Sequence, residues 1–338
     1  MARGLTVALA VVLAAVAIAE AVPRPHEPRI HPAALPAEPS YVKRVEPSIV
    51  GLRVLADETA ASSARLGSQR FGSGVIFDRD GYVVTVSYVL LDTLRIEGVL
   101  RDGRKVPARL VGLDLESGLG VVKLEGAGPW PAATLGESRD ATPGMQTSTV
   151  GVDEHNELVY VTGALESIRR FSSFWEYMLD RALLVAPASP SWGGSAVVDA
   201  GGRVIGIASL RIGKAPYVNL AIPIEKFVPI KDELIAVGRV VSRRPRPWLG
   251  LYTAATEAGV IVEGVAPVGP AAGAGFRKGD RIVSINGITV ESQEHFYHVL
   301  WRGQAGDVIR IAVQRGPGLH VIAVASMDRY RLLRPPPR

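Results

Sequence analysis

The chain has no cysteine among its 338 residues. That absence excludes a disulfide framework, a thiolate metal site and a cysteine nucleophile. An exported chain without thiols is also indifferent to an oxidising compartment. Histidine is nearly as scarce: between residues 40 and 240 there is one, His155, in the polar run Gly151-Val152-Asp153-Glu154-His155-Asn156-Glu157. It reads as a solvated residue at a hairpin tip. No residues are spaced as a metal site, and no carboxylate pair stands in a useful setting. Gly201-Gly202 and Gly273-Ala274-Gly275 read as turns and not as nucleotide fingerprints. Neither a metal nor a cofactor is expected. Charge of one sign is not concentrated either. The formal charge is +5 with a pI near 9.5, and the excess is dispersed over arginine-rich linkers and ends. It reads as a surface feature, and no nucleic-acid partner is expected.

Long apolar runs are missing after residue 21. Before it, Arg3 flanks Leu5 to Ala19, broken only by Thr6, and Ala17-Ile18-Ala19 offers small residues for cleavage. Residues 1–21 read as a signal peptide or, if uncleaved, an N-terminal anchor, the only membrane attachment expected. Residues 22–39 carry Pro23, Pro25, Pro28, Pro32, Pro36 and Pro39. That spacing blocks helix and sheet alike and predicts an extended spacer.

What is there can bury real cores: 47% of residues are hydrophobic and 21% charged. Short β-branched runs stand out at 74–77, 82–86, 106–112, 120–124, 158–163, 195–199 and 204–209. Asp80-Gly81, Asp102-Gly103 and Gly201-Gly202 are hairpin turn signals between them. Many short strands at this spacing argue for an all-β barrel arrangement. Ile224, Phe227, Ile230 and Leu234 recur at helical spacing and predict a helix over 224–237. Arginines and prolines then cluster between Gly238 and Pro247, placing a linker at 241–246.

Three segments carry a resemblance. Gly72-Ser73-Gly74-Val75-Ile76, Asp80-Gly81-Tyr82 and Thr85-Val86-Ser87-Tyr88-Val89-Leu90 resemble the G-S-G-V-I, D-G-Y and T-N-x-H-V-V runs of the HtrA/Deg family of trypsin-like proteases. Val111-Gly112-Leu113-Asp114 through Gly118-Leu119-Gly120-Val121-Val122-Lys123 resembles V-G-x-D-x-x-x-D-L-A-V-L-K. Ser191-Trp192-Gly193-Gly194-Ser195 through Gly206-Ile207 resembles G-N-S-G-G-P-L-V-N-x-x-G-x-V-I-G-I without a gap. Trp248-Leu249-Gly250-Leu251 and the block Gly269 to Gly287 resemble a PDZ domain of the same family. Tyr41 to Leu52 matches its opening helix and strand. The resemblance implies a mainly β chain. A trypsin-like double β-barrel spans 40–240, a PDZ (α+β) domain 247–327, and a basic proline-rich tail 328–338.

It also puts the catalytic triad on the wrong residues. The histidine falls on Tyr88, the aspartate on Gly118 and the nucleophile on Gly193. Glycine has nothing to attack with, and glycine cannot orient a base. A neutral phenol keeps its proton to pH ~10 and is a poor base at neutrality. Ser191 and Ser195 flank the vacated position, but Ser195 reads as a small hydroxyl at the start of a strand. A serine–lysine pair with Lys123 or Lys214 has no support in the spacing. The amides of Gly193 and Gly194 are expected to survive as an oxyanion-hole remnant. Pro190 stands where the family has proline. Trp192, beside the old nucleophile position, either fills the approach to the specificity pocket or floors a peptide site.

Phe171, Phe174, Trp175, Tyr177 and Met178 form a cluster read either as a local helix packed on the barrel or as a partner contact. In the PDZ-like part, Leu249, Gly250 and Leu251 are expected to hold a peptide's terminal carboxylate. His295 and Val299 on the helix 293–301 are candidates to face the groove, with Phe296 and Leu300 toward the core. The expected function is non-catalytic. The chain would bind unfolded or C-terminal peptide segments as scaffold, chaperone-like holder or regulator of protein quality control in the bacterial periplasm or envelope. An active serine endopeptidase and a regulatory subunit of an active relative are the alternatives. Homo-oligomers, trimers by analogy, come with the resemblance.

Overall fold

Valine- and isoleucine-rich runs of five to ten residues, cut by glycine and aspartate turns, become strands because branched side chains pack well on a pleated surface. The computed structural model describes residues 39–333. The expected leader, nearly all of the spacer and the end of the tail lie outside them. A short helix α1, Ser40–Val45, leads into β1, Ile49–Ala56. With β2 (Gln69–Ile76), β3 (Tyr82–Val86), β4 (Thr93–Val99), β5 (Lys105–Asp114) and β6 (Leu119–Leu124), β1 closes a barrel in the order β1-β2-β3-β6-β5-β4. Two single helical turns interrupt it, α2 (Ser63–Leu66) and α3 (Ser87–Leu90). A second closed barrel follows: β7 (Gln146–Val152), β8 (Leu158–Ser173), β9 (Tyr177–Ala186), β10 (Ala196–Asp199), β11 (Val204–Ile212) and β12 (Val218–Pro223). The strands expected from the sequence lie in these elements. Asp80-Gly81, Asp102-Gly103 and Gly201-Gly202 join β2 to β3, β4 to β5 and β10 to β11.

Two expectations need correction. The helix predicted over 224–237 is two pieces, a 3-10 turn at Ile224–Lys226 and helix α4 at Lys231–Val237. Pro229 lies between them and has no N–H to continue the ladder. The apolar spacing still marked core: Ile224, Phe227 and Leu234 are fully buried. The aromatic cluster at 171–178 is not helical. It is the tip of a long hairpin in which Ser173 pairs with Tyr177.

The third part is a sheet in the order β13-β14-β15-β17-β18: β13 (Leu251–Thr256), β14 (Gly259–Val265), β15 (Arg281–Ile285), β17 (Val308–Arg315) and β18 (Gly318–Ala325). The two-residue β16, Ile288–Thr289, pairs with β15, and helix α5, Gln293–Leu300, packs on the sheet. Ser292 caps α5 by accepting from the His295 amide at 3.0 Å. Among the described residues, no helix is long and apolar enough to cross a membrane.

The two barrels meet around one buried serine. The Ser73 Oγ accepts from the Val152 amide at 3.0 Å, and the Ser73 amide donates to the Gly193 carbonyl at 2.8 Å. This seam needs glycine at 194. Its φ is +86°, and an added Cβ would lie 1.9 Å from the Ser73 carbonyl oxygen and 2.3 Å from the Thr85 Oγ1. Left-handed strain and overpacking together should make Gly194→Ala about 2–4 kcal/mol less stable. A urea titration measures this. A midpoint equal to the wild type's would mean that the seam is not closed as described.

Candidate functional site

Tyr88, Gly118 and Gly193 are brought together in the seam between the barrels. Tyr88 rides on the single turn α3. Its hydroxyl donates to the Ser209 carbonyl at 2.8 Å. A Cβ built on Gly193 would sit 2.9 Å from that same hydroxyl. The phenol therefore reaches the ground from which a nucleophile would project. Burial pushes its pKa above the usual phenol value, so it holds its proton more firmly still. Gly118 lies one hydrogen bond from α3, its carbonyl accepting from the Ser87 amide at 2.7 Å. Its φ is +82°, and a Cβ there would meet the Tyr177 hydroxyl at 2.8 Å. Tyr177, buried, donates that hydroxyl to the Ser117 carbonyl at 2.7 Å. Two tyrosines thus occupy the seam beside Gly193 and Gly118.

The 191–195 loop is tied down from inside. Ser195 is fully buried, and its Oγ donates to the Ser191 carbonyl at 2.8 Å. The Ser189 amide donates to the Asn219 side-chain oxygen at 2.6 Å. The Gly194 amide, expected as an anion donor, instead donates to the Ala208 carbonyl at 2.8 Å. A peptide group turned into the β-ladder is not free for an oxyanion, so that half of the expected remnant is withdrawn. Trp192 packs on the hydrophobic core of the second barrel. Arg211 lies over its ring at 4.8 Å and over the Tyr217 ring at 4.7 Å. His155 is exposed at the β7–β8 turn, where its ring pairs with Glu154 at 3.6 Å.

The second constellation lies between β13 and α5, where the resemblance puts the peptide groove. The amides of Leu249 and Leu251 donate to one carboxylate, that of Glu176, at distances of 2.8–3.2 Å. Glu176 comes from the β8–β9 tip of the second barrel. Beside it the Thr253 amide donates to the Phe174 carbonyl at 3.2 Å. The Tyr297 hydroxyl donates to the Ser173 carbonyl at 2.6 Å, and Ser172 Oγ donates to Gln293 Oε1 at 2.8 Å. Met178 belongs to the hydrophobic core of the PDZ domain.

The helix face expected to line the groove is therefore wrong by two residues. Gln293 and Tyr297, one turn apart, meet the hairpin. His295 lies about 200° around the helix from Gln293; its Nδ1 accepts from the Glu291 amide at 3.4 Å. Val299 is buried in the PDZ core. Phe296 and Leu300 lie in that core too. Sequence reasoning missed Glu176 altogether. The available signal was a single acid inside an otherwise aromatic cluster.

Burial pushes Glu176 up to about 7. The amides of Leu249 and Leu251, the Arg329 guanidinium and the Gly250 amide oppose that rise. Tyr297, kept protonated by its own burial, faces the same carboxylate from α5. Among the described residues, no group of three or more His, Cys, Asp or Glu could hold a metal ion.

Comparison with known proteins matches two families: a trypsin-like peptidase domain over residues 72–207 and a PDZ domain over residues 247–324. The serine protease Do-like HtrA of Lactobacillus helveticus is 24% identical over 77% of this chain and 69% of its own. A periplasmic DegP-like serine endoprotease of Halomonas elongata is 29% identical over 72% of this chain and 53% of its own. A Do-like protease of Arabidopsis thaliana is 28% identical over 72% of this chain and 62% of its own. The chain thus spans about half to two thirds of these relatives. Among solved structures, the HtrA-type protease AlgW with a decapeptide superposes with a TM-score of 0.54 at 25% identity, covering 88% of this chain and 98% of that one. With a tripeptide the same protease gives 0.53 at 26% identity, covering 88% and 97%.

The Glu176 shift has a definite sign. An exposed glutamate ionises near 4.5, and the docked one near 7. Between these values the folded chain keeps a proton that the unfolded chain has lost. The stability contribution is therefore full below about pH 4.5, falls as the pH rises, and levels off above about 7. The whole loss is roughly 3 kcal/mol. Thermal melts of the wild type and Glu176→Gln across this window should show the wild type losing ground to the variant as the pH rises. A constant difference would mean the carboxyl is not buried against the PDZ amides.

Proposed function

We propose that this chain, which has the HtrA-family fold of a trypsin-like peptidase domain followed by a PDZ domain, binds peptide segments with a free C-terminal carboxylate and does not hydrolyse them. The observation that carries the non-catalytic half is the Tyr88 hydroxyl. It lies 2.9 Å from where a Gly193 side chain would begin and is spent on the Ser209 carbonyl. Hydrolysis in this fold needs a hydroxyl nucleophile, an imidazole base and a buried carboxylate in register. Removing one triad member leaves about 10³–10⁴-fold acceleration over water, far below a working protease; here none of the three residue types is in place. Ser195 does not substitute, because it is buried and bonded to the Ser191 carbonyl.

The binding half rests on the amides of Leu249 and Leu251, which converge on a carboxylate. The HtrA-type structures that this chain resembles include complexes with a decapeptide and a tripeptide. Relatives described as periplasmic endoproteases support a location in a bacterial periplasm or envelope. There it acts as a scaffold, holder or regulator of protein quality control.

Two measurements on the full chain check this. It should leave casein-like unfolded substrate intact, and a fluorophosphonate probe should label neither Ser191 nor Ser195. A decapeptide ending in valine with a free carboxylate should bind at least tenfold more tightly than its amide, a loss of about 1.4 kcal/mol or more. Stoichiometric serine labelling that vanishes on mutation to alanine would favour an active endopeptidase. Equal binding of acid and amide would remove the carboxylate loop from the account.

A further inference from the structure

Three consecutive residues at the β8–β9 tip do three different things. Glu176 sets its carboxylate on the Leu249 and Leu251 amides. Tyr177 fills the space over Gly118 and donates to the Ser117 carbonyl. Met178 packs into the PDZ core. Just before them, the Phe174 carbonyl takes the Thr253 amide of β13, and the Ser173 carbonyl takes the Tyr297 hydroxyl of α5. The Phe174 ring meets Tyr252 edge-on at 5.6 Å. A carboxylate on loop amides, a main-chain bond to the adjoining strand and contact with the flanking helix are the elements by which a groove of this kind takes a peptide end. Here the chain supplies all of them to itself, with a side-chain carboxylate in place of a terminal one.

We propose that residues 172–178 are a built-in ligand of the PDZ groove, and that an external free carboxylate binds only by displacing Glu176. This deepens the peptide-binding reading above and rests on it. Each amide has one hydrogen to give, and Glu176 takes those of Leu249 and Leu251, so an external carboxylate cannot be seated while Glu176 is docked. The external ligand's affinity is then its intrinsic affinity scaled by the fraction of chains whose hairpin tip is undocked. Displacement also reaches the other domain. Tyr177 follows Glu176 in the chain, so a tip lifted from the groove draws the phenol away from Gly118. Peptide capture in the groove would thus uncover the space over Gly118.

The experiment uses the full chain as wild type and Glu176→Ala, with thermal melts to confirm folding. The probe is a fluorescent decapeptide ending in valine, as free acid and as amide, followed by anisotropy. The variant should bind the free acid about tenfold or more tightly than the wild type does, with the acid preferred over the amide in both proteins. Hydrogen exchange on the wild type supplies an arm that needs no variant: saturating peptide should speed exchange across residues 172–178. Equal affinities, with preference for the acid retained, would overturn the built-in ligand while leaving peptide binding standing. Peptide binding without faster exchange at 172–178 would overturn it as well, even if Glu176→Ala fails to fold. No preference for the acid in either protein would remove the peptide reading and this inference together.

Discussion

Close packing organises the seam at Gly118 and Gly193, where two glycines leave room that neighbouring side chains take. In this chain the filling is tyrosine. Tyr88 spans to the Ser209 carbonyl and Tyr177 to the Ser117 carbonyl. Each phenol satisfies its own hydroxyl, which would be costly to leave unpaired in such a seam. The loop from Ser189 to Ser195 is likewise bonded to its own barrel through Asn219 and Ala208. The result is a packed cleft whose polar groups are largely turned on one another.

The same constraint links the domains. The β5–β6 loop that carries Gly118 is held by the linker and by the C-terminal segment. Asp114 is buried and accepts from Arg243 at 2.7 Å. Glu116 pairs with Arg243 at 3.1 Å and with Arg246 at 2.9 Å. The Leu115 amide donates to the Tyr330 hydroxyl at 2.9 Å. The linker arginines, which in the sequence looked like surface charge, fasten the linker to this loop. The β8–β9 hairpin completes the link from the other side, with Tyr177 over Gly118 and Glu176 on the PDZ amides. Two faces of one loop and one hairpin thus carry every path described between the PDZ groove and the seam at Gly118 and Gly193.

Much of the fold was legible because its signals are local. Branched residues alternating with Asp-Gly and Gly-Gly turns marked the strands of both barrels, and the Gly269–Gly287 block marked the PDZ sheet. The misses came where long-range contact decides. Aromatic spacing at 171–178 suits a helix as well as a hairpin, and only pairing of β8 with β9 resolves it. On α5 the apolar pattern put Phe296 and Leu300 in the core but not Val299, which is buried there too, and Gln293 and Tyr297 were chosen for the groove by polar bonds to a segment over a hundred residues earlier. The Gly194 amide looked free because its acceptor, the Ala208 carbonyl, belongs to another strand. Glu176 could not be placed from sequence, since a lone acid shows its role only through the amides it meets.

The central claim is that the cleft is filled and not merely stripped. Restoring the three residue types tests it. In Tyr88→His/Gly118→Asp/Gly193→Ser, the aspartate must be built at a φ of +82° with its Cβ 2.8 Å from the Tyr177 hydroxyl. A base oriented that poorly forfeits most of the rate, because a triad misplaced by about 1 Å can lose ~10²-fold. Turnover of unfolded casein by the triple variant, with a thermal melt to show that it folds, is the direct measurement. The account predicts a folded protein whose turnover stays at least ~10²-fold below that of an intact protease of this fold. A folded triple variant that cleaves casein steadily would show that the site was empty and waiting, and would contradict it.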